Sequence, residues 1–397
     1  MILGYEADDL IKMNGYNTAQ EIVQQPALWK KIYELIVKDR QRIADFVKAN
    51  IDKETRILFT GAGSSDYVGD IIKSYVKSCR NVRTESVATT DIVANPQEVI
   101  ERGVKTVLVS FARSGNSPES IGAYQIMQEN TDKIAHVIIT CNKDGNLVGA
   151  AKDNGNCFML ILPEETNDKG FAMTSSFSCM LLAALLFFDI DRLEENKKYV
   201  DTISHLGELI VQKDWEKMRN LSNCNPERVV YLGAGCLSGL AQEMALKNME
   251  LTNGTIATMQ ESILGFRHGP KTFMDKNTDV IVLMSRNEYT NQYIRDLLKE
   301  IYHDTRKHKL IVISCEKDEE IKDISDEHIF VEGEGVPDVY SALVYVLYGQ
   351  MFAFFNSARL GIGPDDPSPD GSVNRVVKGV VLHSYCEMPQ EECEVMV

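Results

Sequence analysis

The sequence predicts an α/β fold in which one unit is built twice, each unit a parallel sheet flanked by helices. Three observations carry this. First, short continuous apolar runs end in glycine and small polar residues and are followed by helical stretches: 57–60 runs into Gly61-Ala62-Gly63-Ser64-Ser65, 105–110 into Ala112-Arg113-Ser114-Gly115-Asn116-Ser117, and 136–140 into Cys141-Asn142-Lys143-Asp144-Gly145. Runs without alternation suit strands buried on both faces of a parallel sheet. Second, the texture recurs at 229–232, 280–284 and 310–313, with a second Gly-Ala-Gly turn at 233, 172 residues after the first at 61. A period that long is a duplicated domain, not a solenoid repeat. Third, 44% hydrophobic and 25% charged residues over 397 positions is an ordinary globular composition, with enough chain for two or three domains.

Taken in order, residues 1–50 read as helical. Pro26 opens a segment whose apolar positions Leu28, Ile32, Leu35, Ile36, Ile43, Phe46 and Val47 keep a 3.6-residue period. Residues 51–205 and 206–360 are the two α/β units, and 175–222, which holds the apolar run CMLLAALLFF, is a helical bridge packed against both. From 361 to 397 the chain is a tail. GIGPDDPSPDGS is a loop, VNRVVKGVVL has β-rich character, and the last residues are loose.

Charge and cysteine usage exclude several classes. A net charge of −16 disfavours non-specific binding to nucleic acid or anionic membranes. The nine cysteines are never closer than seven residues, so there is no CxxC pair for a zinc ribbon or a thioredoxin-like site. No metal-ligand spacing or cofactor motif is expected. The opening MILGYEADDL has no basic region before an apolar run, and 179–188 is too short to span a bilayer. A cytoplasmic location is expected.

The Gly-Ala-Gly turn at 61 is not a dinucleotide fingerprint, because the next glycine is at 69. The hydroxyl-rich turns are more informative. Ser64 and Ser65 follow one strand, and Arg113, Ser114 and Ser117 follow the next. Hydroxyls with backbone N–H groups at strand-to-helix turns make an anion site, although Ser and Asn also cap helices. The second unit has Ser285-Arg286-Asn287-Glu288 at the equivalent place, which adds negative charge, so one phosphate site per chain is expected, in the first unit. The second unit carries Glu243, Lys247 and Glu250 at i, i+4 and i+7, on one helix face. His268 lies in the constrained loop Gly265-Phe266-Arg267-His268-Gly269-Pro270, and histidine is the side-chain type suited to proton transfer near neutrality. His303 and His308 read as a solvated helix end.

Together, GAGSS, FARSGNSPES, CNKDG, EMALKNMEL and GFRHGP resemble the sugar isomerase (SIS) domain family, in that family's order and over roughly residues 50–385. The resemblance implies two tandem SIS domains of flavodoxin-like three-layer type. Within the family the chain is most similar to the tagatose-6-phosphate ketose/aldose isomerase and galactosamine-6-phosphate deaminase group, and it also resembles the isomerase half of glucosamine-6-phosphate synthase. The latter likeness implies phosphate-binding hydroxyls at Ser65, Ser114 and Ser117, with Arg113 in place of a glutamine and Ala112 in place of a serine. It implies a proton-transfer glutamate at Glu250, helix partners Lys247 and Glu243, a ring-opening histidine at His268 and a tail lysine at Lys378. Only about 50 residues precede the first unit, so no glutamine-hydrolysing domain is expected and the reaction would run as an isomerase or in the deaminating direction. The implied partners are a small sugar phosphate and a second copy of the chain, in a homodimer or higher oligomer to which His268 can contribute across subunits. The rival readings are a non-catalytic phosphosugar-binding regulator and a deaminase specific for glucosamine or fructose phosphates.

Overall fold

The computed structural model describes residues 1–377 and 379–385. Two five-stranded sheets, all parallel, form the frame. The first contains β1 (Arg56–Thr60), β2 (Arg83–Ser86), β3 (Thr106–Ala112), β4 (Ile134–Thr140) and β5 (Cys157–Ile161), in the order β2-β1-β3-β4-β5. The second contains β6 (Arg228–Gly233), β7 (Ala257–Ser262), β8 (Thr278–Leu283), β9 (Lys307–Ser314) and β10 (Glu327–Phe330), in the order β10-β9-β8-β6-β7. Read from the other edge, the second order repeats the first, so the duplication extends to topology. In both sheets the strand order reverses beside the first strand of the unit, which is where α/β sheets open a crevice for ligands.

The central strands β1, β3, β4 and β8 are buried at every residue, as their unbroken apolar runs require. Each first strand turns into its helix through the same backbone. Gly63 has φ 56° and ψ −128°, and Gly235 has φ 58° and ψ −128°, a region closed to side chains with a Cβ. These turns start the helices Ser64–Arg80 and Cys236–Leu251, which pack against each other and join the two units.

The apolar bridge is a helix, Ser175–Phe188, buried at all fourteen residues. It packs on the N-terminal helix Tyr16–Lys38, on Ser64–Arg80 and on the last helix, Asp338–Leu360. Each Leu or Phe buried there stabilises the fold by roughly 1.5–3 kcal/mol relative to exposure. Asp338–Leu360 is long and apolar enough to cross a bilayer, but 94% of its apolar window is buried inside this fold. Buried side chains also lace these helices together: Gln25 Nε2 donates to Gln350 Oε1 (2.6 Å), the Ser178 hydroxyl to Gln25 Oε1 (2.7 Å), and Trp29 Nε1 to Ser178 Oγ (3.0 Å).

Three expectations need correction. Pro26 does not open a helix but lies inside Tyr16–Lys38. Proline cannot donate to the carbonyl four residues back, and here the side-chain amide of Gln25 donates to that carbonyl, Ile22 O, at 3.1 Å. His308 is not at a helix end: it lies in β9, and its Nδ1 is 3.0 Å from the buried Asp279 Oδ1. Finally, 373–382 is not a strand among its described residues. Its described residues pair with no strand, and Leu382 reaches Gly122 on the helix Pro118–Asn130, where an added Cβ would come within 2.8 Å of it.

The tail is tied down from its start. Asp365 accepts from Asn17 N (2.9 Å), Asn17 Nδ2 (3.0 Å), Thr18 N (2.7 Å) and Thr18 Oγ1 (2.7 Å), which caps the first turn of Tyr16–Lys38. One turn on, the buried Glu21 accepts the backbone N–H groups of Lys169 and Gly170. Burial, then the nearby Asp168, pushes Glu21 up to about 8. Burial likewise raises Asp66 to about 7 and Glu243 to about 8. A carboxyl whose folded pKa exceeds its unfolded value gives the folded state extra bound protons between the two values, so stability falls as pH rises through that window. The thermal midpoint should therefore drop between roughly pH 5 and pH 8. In Glu21→Gln the drop should be shallower. A parallel pair of midpoint-versus-pH curves would remove Glu21 from the account.

Candidate active site

β1 and β3 pair in parallel register, with Thr60 opposite Ser110, so the GAGSS and ARSGNS turns emerge side by side at the carboxyl end of the first sheet. Between them lies a cavity of about 110 Å³ lined by Ser65, Arg113, Ser114, Ser117, Ser120 and Arg375, among others. The CNKDG turn after β4 braces this edge: Asn142 Nδ2 donates to Ser114 O (2.8 Å), and Asn146 N to Asn116 Oδ1 (3.0 Å). The Ser117 and Ser120 hydroxyls lie 2.7 Å apart at the start of Pro118–Asn130. Hydroxyls and a helix start facing a small cavity suit a tetrahedral oxyanion.

Arg113 is buried behind these hydroxyls. Its Nη1 donates to Phe171 O (3.0 Å) and its Nη2 to Arg375 O (2.7 Å). Burial, then the charge of Arg375, lowers its pKa from the ordinary arginine value. The loop that supplies Phe171 O is held by Asp168, which is fully buried. Its carboxylate accepts from Thr174 N (2.8 Å) and Ser176 N (2.8 Å), and from the Thr174, Ser175 and Ser176 hydroxyls, at the start of Ser175–Phe188. The same loop carries Met173, whose Sδ is 3.7 Å from Ser65 Oγ.

The second unit brings its charges to this place through helix packing. Ser64–Arg80 and Cys236–Leu251 cross in antiparallel register: a Cβ on Gly63 would lie 3.8 Å from Leu246, and one on Gly239 would lie 3.0 Å from Ile71. Glu243 and Lys247 therefore face the first unit, and neither is exposed. Lys247 Nζ pairs with Glu250 and lies 3.7 Å from Glu243 Oε1. Burial acts to lower Lys247, but Glu243 and Glu250 outweigh it, and its pKa is raised. Burial dominates at Glu243. Among the described residues neither of its carboxylate oxygens has a hydrogen-bond partner within range, although the Ser64 hydroxyl and Lys247 lie near enough to act on it. Glu250, at the end of the row, keeps about a quarter of its side chain exposed. The charges of Glu250 and Arg113 act on each other across the two units.

The structure thus gathers most of the residues singled out from sequence. Ser65, Arg113, Ser114 and Ser117 share one cavity, and Glu243, Lys247 and Glu250 form one cluster beside it. Ser64 is turned toward Glu243 rather than into the cavity. His268 is exposed after the short turn Gly265–Arg267, and its ring has no hydrogen-bond partner among the described residues. Lys378 lies outside the described residues.

Sequence reasoning passed over Arg375, Asp168 and Tyr67. Arg375 stood in the NRVVKGVV string but was not singled out. Asp168 was signalled only by the Thr174-Ser175-Ser176 run before an apolar helix, a capping pattern. Tyr67 follows the GAGSS turn, and burial, then Glu243, with Glu250 also acting, raises its hydroxyl to about 12.

The second unit's equivalent turn is occupied by the protein itself. The Asp338 carboxylate accepts from Arg286 N (2.7 Å) and from the Ser285 hydroxyl, while Arg286 Nε pairs with Glu316 (2.6 Å). An internal carboxylate fills the place that stands open in the first unit.

Comparison with known proteins agrees with this architecture. The sequence matches the SIS domain over residues 50–189 and 221–354. It is 37% identical over 383 residues to the D-galactosamine-6-phosphate deaminase AgaS of Shewanella sp. (strain ANA-3), covering 96% of this chain and 95% of that protein. The fold superposes on the tagatose-6-phosphate ketose/aldose isomerase of Escherichia coli with a TM-score of 0.84 at 34% identity, covering 96% of this chain and 98% of that one. A Clostridium novyi NT structure, described as a candidate isomerase of the same kind, gives a TM-score of 0.95 at 46% identity, covering 97% and 99%. With both α/β units matched and the site formed where they meet, the chain belongs to the SIS domain family as a tandem-SIS protein.

Proposed function

We propose that the chain is a sugar-phosphate isomerase/deaminase that converts galactosamine 6-phosphate to tagatose 6-phosphate and ammonia. The observation that carries this reading is the meeting of a hydroxyl- and arginine-lined anion cavity from one unit with a buried Glu-Lys-Glu row from the other. The first suits the phosphate, the second a proton shuttle at the far end of the sugar. The named activities of the relatives support the same substrate class.

In this reading Ser65, Ser114, Ser117 and Arg113 hold the phosphate and so place C1 and C2 of the opened sugar near Glu250. His268 serves ring opening, and its exposure suits action on the site of a second copy. Glu250 removes the proton from C2 and returns it to C1, while O1 gains a proton and the amine gives one up, which turns the amino aldose into a C2 imine with a C1 hydroxyl. Water adds at C2, the C2–N bond breaks, and ammonia leaves with the proton it needs, giving the ketose. Lys247, held charged between two carboxylates, stabilises the oxyanion that develops at O1, and Lys378 is the tail-borne partner in that role. Glu243, the inner carboxyl of the row, lies 3.7 Å from Lys247 Nζ and positions it beside Glu250.

Incubation with galactosamine 6-phosphate should release ammonia and a ketose 6-phosphate in equal amounts. Neither product from this sugar, nor from glucosamine 6-phosphate, would favour a binding protein over an enzyme. Glu250→Gln should keep the fold and phosphate affinity while turnover falls about 10²-fold or more, and near-normal turnover would unseat it as the base. The double variant Arg113→Ala/Ser114→Ala should mainly raise KM for phosphorylated sugars. An unchanged KM would place the phosphate elsewhere.

A further inference from the structure

Arg375 belongs to the tail, beyond both α/β units, yet it lines the same cavity as Ser65, Ser114 and Ser117. Its carbonyl accepts from Arg113 Nη2 at 2.7 Å, so the tail backbone is clamped directly over that guanidinium. Its own Nη2 donates to Asp168 O and reaches Asn167 Oδ1 at 3.5 Å. Two arginines therefore line one cavity of about 110 Å³.

Asp168 and Glu250 act on Arg113 from nearby, but among the described residues neither makes an ion pair with Arg113 or Arg375: the Asp168 carboxylate accepts from Thr174, Ser175 and Ser176, and Glu250 pairs with Lys247. Each guanidinium carries N–H groups beyond those already bonded. Two like charges held together against hydroxyls call for a polyanion between them.

We propose that Arg375 is the second cation of the phosphate site, delivered by the C-terminal tail, so that substrate phosphate is held between the first unit and the tail. This rests on the reading of the first-unit cavity as the phosphate site. A neutral sugar has no charge to place between the two guanidinium groups, so Arg375 is a residue that selects phosphorylated sugars.

The test titrates inorganic phosphate calorimetrically into the full chain, as wild type and as Arg375→Ala, Arg375→Gln and Arg375→Lys, with thermal unfolding to confirm that each variant folds. Glutamine removes the charge while keeping an amide donor, and it leaves the backbone carbonyl that Arg113 holds unchanged. Charge-assisted hydrogen bonds of this kind correspond to roughly ten- to a hundredfold in affinity. Arg375→Ala and Arg375→Gln should weaken phosphate binding by that factor, and Arg375→Lys should recover part of it. Wild-type affinity in Arg375→Gln would overturn the proposal and leave Arg375 a purely structural clasp. If wild type itself bound no phosphate, the phosphate reading of the cavity would fall first, a result distinct from loss of the Arg375 contribution alone.

Discussion

Lys247 has no exposure to water, and its charge is sustained there because Glu243 and Glu250 flank it on one helix face. Breaking a buried charge pair by removing one partner is strongly destabilising, so the row must stay intact and in place. What shields it is the packing of Cys236–Leu251 against Ser64–Arg80, at a spacing that Gly239 permits beside Ile71. That contact also sets the row beside the GAGSS turn. The site is therefore a product of the seam between the two units, and neither unit contains it alone.

Around the seam, the remaining segments act as braces. The N-terminal helix is locked to both apolar helices through Gln25, Trp29, Ser178 and Gln350, and to the tail through Asp365. Its Glu21 holds the backbone at Lys169 and Gly170, next to the loop that anchors Arg113 and Arg375. The first-unit cavity is assembled from turns, a loop and a tail, and these bonded partners fix where its walls stand.

The duplicated units have diverged at their equivalent turns. In the first, Arg113, Ser114 and Ser117 line a cavity. In the second, Ser285 and Arg286 N are satisfied by Asp338, and the Arg286 guanidinium by Glu316. A carboxylate from the chain itself does the electrostatic work of a bound anion without a ligand. One unit keeps a hydroxyl- and arginine-lined cavity and the other supplies the charged row.

Sequence alone determined the α/β class, the duplication, and the three inner strands of each sheet, because strands buried on both faces must be apolar at successive residues. It did not reveal β2, β5, β7 and β10. All four are sheet edges; β2, β7 and β10 have mixed runs such as RTES and ATMQES that carry no such signature, whereas the apolar run CFMLI of β5 does carry it and was passed over. The turn serines, Arg113 and the Glu-Lys-Glu spacing were legible because local backbone geometry and helical periodicity are written in neighbouring residues. The roles of Ser64, Tyr67, Asp168 and Arg375 were decided by tertiary structure. Each depends on a group far away in sequence: Glu243 for Ser64 and Tyr67, and the loop and Arg113 for the tail. No local pattern encodes which distant surface a buried polar side chain will meet, and that meeting is what makes two helices, a loop and a tail into one site.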